Sequence, residues 1–294
     1  MTTLWNQLLE HWVTFPLLVP LLGAFVTPIL GRNHPDIRRI IAAAVLFVTV
    51  GASVYALQNA VAADAPFVYE IGGWEPPFGI VLVLDRLSSV MVTTTSLLAL
   101  GAHLYALFGD DRRNRFFHFL LLVQVAGING AFLTGDLFNL FVFFEILLIA
   151  SYNLLAYGGG EARARAGVHY VVMNLVGSSL FLVSVGLLYE LTGTLNMADM
   201  ATKAAALPPG NVALARSAAT LLMVVFGLKS ALLPLYWWLP RAYSAATAPA
   251  AAIFAVMTKV GIYAILRTST VIFGTGGGAV ADITDGWLIP LSLA

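Results

Sequence analysis

The stretch Phe226-Gly-Leu-Lys-Ser-Ala-Leu-Leu-Pro-Leu-Tyr-Trp-Trp-Leu-Pro240 decides the fold prediction, because it places a lysine and two prolines in an apolar segment. Pro234 and Pro240 lack a backbone donor, and a proline ring clashes with the preceding turn, so they predict a broken helix. Lys229 costs about 2.5–3.5 kcal/mol at the centre of a membrane helix. A second lysine, Lys259, follows in the next apolar segment. Two lysines beside a break predict a path for charge.

The composition is that of a multi-pass membrane protein. Of 294 residues, 60% are hydrophobic and only 10% are charged, which predicts an all-α bundle surrounded by the lipid bilayer. The 15 basic and 15 acidic side chains balance, so the net charge favours no nucleic-acid partner. The chain has no cysteine, which excludes disulfides and thiolate metal sites. No histidine pair has zinc-ligand spacing, so we expect neither a metal nor a cofactor.

Eight segments are apolar enough and long enough to cross a bilayer, which requires about 20 residues. A ninth is expected to begin near Ile283. The longer connections, Asn59–Gly79 and Thr192–Asn211, are expected to hold short helices or a hairpin. The eight complete spans are expected at about Trp12–Leu30, Ile37–Gln58, Ile80–Phe108, Phe116–Leu133, Leu137–Tyr157, Val168–Leu191, Val212–Leu239 and Pro249–Arg267.

Basic residues in the connections predict the orientation of the chain in the membrane. Positive charge accumulates on the cytoplasmic side of membrane proteins. The loops after spans one, three, five and seven all carry arginine, whereas the loop after span two carries Asp64, Glu70 and Glu75. We therefore expect the N-terminus on the outer, periplasmic face of a bacterial inner membrane. The arginines are Arg32, Arg38, Arg39, Arg112, Arg113, Arg115, Arg163, Arg165 and Arg241.

Glu145 is a carboxylate within the fifth span, among phenylalanine and aliphatic residues. One interpretation is structural: the carboxylate neutralises a buried lysine. The other is functional: a carboxylate that approaches and retreats would change the lysine's affinity for protons. We favour the functional interpretation, because ionisable residues within a membrane are usually functional.

The two lysines are interpreted in the same way. Lys229 precedes Pro240 by about eleven residues, or about 16 Å of helix, which is too deep for its ammonium to reach the headgroups easily. Lys259 is central in its span, with Thr258 beside it. Both are predicted to take part in proton translocation. Asp136, His169 and Thr258 are candidate accessory groups, although a satisfied interfacial histidine is the favoured interpretation of His169.

Two blocks of sequence resemble the antiporter-like subunits shared by Mrp (Pha) Na+(K+)/H+ antiporters and respiratory complex I. Thr134-Gly-Asp-Leu-Phe-Asn-Leu-Phe-Val-Phe-Phe-Glu-Ile-Leu-Leu-Ile-Ala-Ser-Tyr152 is similar to the fifth helix of the Mrp D subunit, and residues 229–267 are similar to its seventh and eighth helices. The resemblance implies inverted five-helix repeats, helices four to eight and nine to thirteen, each with a broken helix. Residues 1–115 would form an N-terminal three-helix region, 116–267 the first repeat, and 268–294 the start of a truncated second half.

The resemblance implies a role for each buried charge. Glu145 and Lys229 would be the coupled pair of a proton half-channel, and Lys259 the central relay. The implied protein is a secondary transporter subunit that exchanges H+ for Na+ or K+, with other membrane subunits as partners, and is not an enzyme. Arg241 departs from the pattern, since complex I relatives usually carry an acidic residue there. The second repeat is missing from this chain.

Two alternatives stay open. The chain could be a proton-pumping membrane subunit of a redox complex, such as a complex I-like NADH:quinone oxidoreductase or a membrane-bound hydrogenase. It could also be a structural scaffold in which the buried charges only neutralise one another.

Overall fold

The computed structural model describes residues 10–113 and 115–281, and most of them lie in helices. The predicted ninth span near Ile283 lies outside the described residues. A two-stranded hairpin, formed by β1 and β2, connects the second and third helices. In chain order the elements are α1 (Phe15–Leu30), α2 (Pro35–Ala62), β1 (Phe67–Glu70), β2 (Val81–Leu84), α3 (Arg86–Ala106), α4 (Phe117–Leu133), α5 (Leu137–Ala156), α6 (Glu161–Thr192), α7 (Met197–Ala205), α8 (Val212–Lys229), α9 (Trp238–Ala245) and α10 (Ala248–Val271).

The apolar helices confirm the prediction of a helical, multi-pass membrane protein. Within the described residues, seven helices have the length and hydropathy to cross a bilayer, namely α1 with its preceding turn, α2, α3, α5, α6, α8 with its preceding turn, and α10. Helix α4 is apolar but has only 17 residues. It packs against α1, α3, α5 and α10, so it forms the centre of the bundle.

The start of the third span is corrected by the structure. The prediction began this helix at Ile80, but the Val-Leu-Val-Leu segment forms β2 and pairs antiparallel with β1. β-branched residues favour a strand over a helix. Helix α3 begins only after Asp85, whose carboxylate accepts the backbone N–H of Ser88 at 2.8 Å. The expected hairpin and short helix are therefore present in the two long connections, as β1–β2 and α7.

The predicted helix break lies between α8 and α9. Helix α8 ends at Lys229, Ala231 adopts a left-handed backbone conformation with φ of 56°, and α9 begins at Trp238. Pro234 lies in this break, as predicted. Pro240 does not, because it occupies the first turn of α9. A proline is tolerated there, since the first amides of a helix have no intrahelical partner.

Helix α10 crosses the break at Gly261. A methyl group at this position would come within 2.2 Å of the Ser230 hydroxyl and 3.0 Å of the Phe226 carbonyl. Glycine is therefore required for the helix that carries Lys259 to contact the end of the helix that carries Lys229.

We predict that Gly261→Ala destabilises the protein by about 1–3 kcal/mol, the usual cost of overpacking a closely packed interior. The measurement is the midpoint of thermal unfolding of the purified protein in detergent. Gly186→Ala is the matched control, since Gly186 lies in a membrane helix with open space around it. Equal unfolding midpoints for the two variants would show that the contact at Gly261 is not tight.

Candidate functional site

Glu145 and Lys229 lie together in the structure, as the resemblance implies. The Lys229 ammonium is 3.9 Å from a Glu145 carboxylate oxygen. Lys229 is only 3% exposed, whereas Glu145 is partly exposed. The Lys229 ammonium must be compensated by further hydrogen bonds, because this charge has left bulk water.

Ser178 supplies those hydrogen bonds and was not identified from the sequence. The Lys229 ammonium donates to the Ser178 hydroxyl at 3.0 Å, and the hydroxyl donates to the Glu145 carboxylate. Ser178 is 5% exposed and lies on α6, between the other two helices of the site. Three helices thus contribute one polar group each to a continuous hydrogen-bonded network. A serine among apolar residues on a long helix gave too weak a signal to single it out.

The end of α8 favours a cation at Lys229. The last carbonyl groups of a helix lack intrahelical donors and carry the negative end of the helix dipole. Lys229 is the last residue of α8. The neighbouring Leu228 carbonyl accepts the indole N–H of Trp238 at 3.0 Å, which fixes the start of α9 against the end of α8. The break therefore places a positive charge where the backbone stabilises it.

Aromatic rings enclose the lysine. Its ammonium lies 5.2 Å from the centroid of the Phe144 ring. Phe144 packs against Phe181 and Phe226, which contact each other edge to face. A cation over an aromatic face gains about 2 kcal/mol when it is desolvated. The same rings shield the ion pair from bulk solvent, so Lys229 is held by a carboxylate, a hydroxyl and a π face.

Lys259 is not brought into this cluster. Its side chain lies on an exposed face of α10, and its ammonium is 3.4 Å from the Thr258 hydroxyl. Among residues 10–113 and 115–281, no hydrogen bond or ion pair joins Lys259 to Glu145 or Lys229. The two lysine-bearing helices nevertheless touch, at Gly261 and Ser230.

The three candidate accessory residues have separate environments. Asp136 is the N-cap of α5, where its carboxylate accepts the Asn139 backbone N–H at 2.7 Å. His169 is exposed on α6, and its Nε2 lies 3.3 Å from Arg241 Nη1. Thr258 is buried and donates to the Ala255 carbonyl of its own helix. All three have local partners.

A second buried polar connection was also missed. The Ser151 and Tyr170 hydroxyls are 2.7 Å apart, and the Tyr170 hydroxyl is 3.3 Å from the Met257 sulfur. The Gln124 amide donates to the same sulfur at 3.6 Å. This connection links α5 and α6 to the helix that carries Lys259. Its members are isolated in the sequence and converge only in the packed bundle.

The fold and these buried charges define a multi-pass helical membrane protein with an ionisable centre. Residues 134–284 match the family described as NADH:quinone oxidoreductase/Mrp antiporter, TM, and the chain belongs to this family. The matched residues include Glu145, Lys229 and Lys259.

Named relatives are components of cation/proton antiporters. The chain is 46% identical over 285 residues to the probable D subunit of a K(+)/H(+) antiporter of Rhizobium meliloti, a match that covers 96% of this chain and 53% of the relative. It is 41% identical to the D subunit of a Na(+)/H(+) antiporter of Bacillus subtilis, over 90% of this chain and 54% of the relative. The chain therefore spans about half the length of these curated relatives.

A solved structure has the same fold. The chain superposes on one chain of the Mrp complex from Dietzia sp. DQ12-45-1b with a TM-score of 0.83 and 34% sequence identity. The match covers 90% of this chain and 49% of the solved chain.

We predict that Ser178→Ala lowers the stability of the protein by about 1–3 kcal/mol, because it leaves the Lys229 ammonium without its hydrogen-bond acceptor. Ser179→Ala is the matched control. Ser179 is exposed on the same helix, and its hydroxyl donates to the Leu175 carbonyl of its own helix. Thermal unfolding of both variants checks the prediction, which fails if the unfolding midpoints change equally.

Proposed function

We propose that this chain is the proton-conducting part of a subunit of a multisubunit monovalent cation/proton antiporter, which moves H+ in exchange for Na+ or K+. The observation that carries the proposal is the buried connection Glu145–Ser178–Lys229 at the end of a broken membrane helix. The names of the relatives, both antiporter D subunits, support it. Other membrane subunits are the expected partners.

In this mechanism Lys229 binds the proton and Glu145 controls its release. The Glu145 carboxylate lies 3.9 Å from the Lys229 ammonium, and a nearby negative charge favours the protonated lysine. Retreat of Glu145 would therefore weaken proton binding at Lys229. The Ser178 hydroxyl, which contacts both groups, keeps them connected as the distance changes.

Lys259 is the proposed next proton acceptor. An exposed ammonium on an apolar membrane helix must be solvated by water or by polar groups of another polypeptide segment, because lipid cannot solvate it. The Gly261–Ser230 contact brings the helix of Lys259 next to the helix break, and Thr258 offers a hydroxyl beside the ammonium. Asp136 and His169 remain candidate accessory groups on the way to this centre. The arginine-rich loops support a cytoplasmic position for the side of the bundle on which they lie. The N-terminus would then be outside.

The family description favours one further candidate. It also includes NADH:quinone oxidoreductase, so the same residues could conduct protons in a complex driven by a redox partner. Purification of the intact assembly distinguishes the two. Flavin or iron–sulfur subunits in the assembly, together with NADH- or H2-driven pumping, would favour the redox complex over the antiporter.

We predict that Lys229→Ala, Glu145→Ala and Lys259→Ala each abolish Na+/H+ or K+/H+ exchange in everted membrane vesicles, while the complex still assembles. Each substitution removes a charge that the proton path requires. Lys203→Ala is the matched control and should keep exchange, because Lys203 forms a partly exposed pair with Asp199 on α7.

Two outcomes would contradict the mechanism. Normal exchange in an assembled Lys259→Ala complex would remove Lys259 from the path. Exchange that survives when Glu145 and Lys229 are both replaced by glutamine would show that this pair only neutralises itself, as in a structural scaffold.

A further inference from the structure

Two buried histidines lie side by side at the arginine-rich end of the bundle. His103 is in the last turn of α3 and His118 is in the first turn of α4, and their ring centroids are 5.1 Å apart. His103 is completely buried and His118 is 2% exposed. Nothing in their sequence spacing indicates a pair, since they lie in different spans and meet only because α3 and α4 pack together.

The two imidazoles have too few hydrogen-bond partners. Both ring nitrogens of His103 and Nδ1 of His118 are buried without a partner in the described part of the chain. Every neutral imidazole has one N–H donor and one acceptor nitrogen. Buried polar atoms are nearly always paired, so three unpaired nitrogens in one cluster need an explanation. Protonation would convert the acceptor nitrogen of one imidazole into a second, charged donor that can contact a nearby carboxylate.

Asp111 is the anion that would stabilise this proton. Its Oδ2 lies 3.4 Å from His118 Nε2. Burial raises the pKa of the Asp111 carboxyl, but the hydrogen bonds and charge of Arg39, together with smaller contributions from His118, outweigh burial and hold the pKa below its usual range. The carboxylate is therefore ionised at neutral pH. A negative charge at this distance favours the protonated form of the histidine beside it.

Arg39 competes with His118 for the same carboxylate. Arg39 Nε donates to Asp111 Oδ2 at 2.5 Å, and Arg39 Nη2 donates to Oδ1 at 2.7 Å. His118 faces the Oδ2 atom that Arg39 already holds. A bidentate arginine pair is strong, but an imidazolium would be a second charged donor to Oδ2. The Asp111 carboxylate is therefore shared between Arg39 and His118.

We propose that His103 and His118 form a proton-binding site, separate from the Glu145–Lys229 pair, whose occupancy decides whether Arg39 or His118 holds Asp111. The unprotonated pair leaves Asp111 with Arg39, as in the structure described here. The protonated pair draws the carboxylate toward His118 and loosens Arg39. The site thereby senses pH on the arginine-rich side of the protein.

The turn that carries Asp111 connects the ends of several helices. Arg39 on α2 also donates to the Leu107 carbonyl at the end of α3, at 3.3 Å. Tyr157 directly follows α5, and its hydroxyl donates to the carbonyls of Asp110 and Asp111 at 3.1 and 3.2 Å. Release of Arg39 would therefore loosen the attachment of α2 to this turn. Glu145 is about 18 Å farther along α5 at 1.5 Å per residue, so the site does not overlap the transport pair.

Other charged groups lie on the elements that pack around the pair. Helix α1 and strand β2, which pack against α4, carry no ionisable side chain. Helix α10 packs on α3 and α4, but its Arg267 pairs with Asp85 at the opposite end of α3. The groups at the histidine end include Asp110 and Arg112 on the turn of Asp111. They also include Asp36, 3.6 Å from Arg39, Arg38, which donates to the Gly31 carbonyl, and Arg115, whose guanidinium lies 4.7 Å from the Phe116 ring centroid.

The test is a histidine titration by NMR of the full-length protein with 15N-labelled histidine in detergent. His103→Gln and His118→Gln identify the two signals. We expect one imidazole of the pair to take up a proton between pH 4 and 7. Asp111→Asn removes the stabilising anion and should lower that midpoint by about one pH unit, or tenfold in proton affinity. Arg39→Gln removes the competing cation and should raise it by a similar amount.

The proposal is overturned if neither buried histidine titrates between pH 4 and 7. It is also overturned if the midpoint stays in place in a folded Asp111→Asn or Arg39→Gln protein. The two variants are expected to shift the titration midpoint in opposite directions. Either variant therefore tests the proposal if the other does not fold.

A spin label tests the change in the turn directly. The 294 residues contain no cysteine, so Arg112→Cys introduces a nitroxide at an exposed position of the turn. The mobility of the label should increase on acidification, and the pH midpoint of this increase should equal that of the histidine titration. The increase should disappear in the His118→Gln background. A label at Thr202→Cys on α7 is the control and should not respond. A label at position 112 that is insensitive to pH would contradict the proposed switch.

Discussion

A lysine ammonium buried in an apolar bundle is the constraint on which the rest of the structure depends. Lys229 is almost completely buried, and an isolated ammonium in such a place would be expensive. Helix α8 ends at this residue, and a cation is favoured at the C-terminal end of a helix. Ser178 and Glu145 approach from two other helices. The helix break is therefore part of the solvation of the lysine as well as a feature of the backbone.

A buried charge is also compensated by neighbouring groups at the arginine-rich end of the bundle. Arg39 and Asp111 form a buried, bidentate pair, and two histidines beside it remain largely without partners in the described part of the chain. At the Lys229 site the charged groups have a connected set of partners. At the histidine site Arg39 and His118 both face one carboxylate, that of Asp111.

Much of the helical layout was predictable because hydropathy and length are local properties. Seven predicted spans coincide with helices that have the length and hydropathy of membrane spans, and the break near Pro234 was placed correctly. The errors were at boundaries. The third helix starts later, because Asp85 caps it and the residues before it form a strand. Pro240 starts α9 and does not interrupt a helix, a distinction that depends on where the chain turns.

The sequence by itself determined the class of the protein, the membrane helices and the three charges, Glu145, Lys229 and Lys259, because a charge in an apolar segment is conspicuous. Only the tertiary structure decided which charges meet. It brought Glu145 to Lys229 through Ser178 and left Lys259 on an exposed face. It also joined His103 to His118. Serine and histidine are ordinary in a sequence, and their roles depend on helix packing, which brings together residues far apart in the chain.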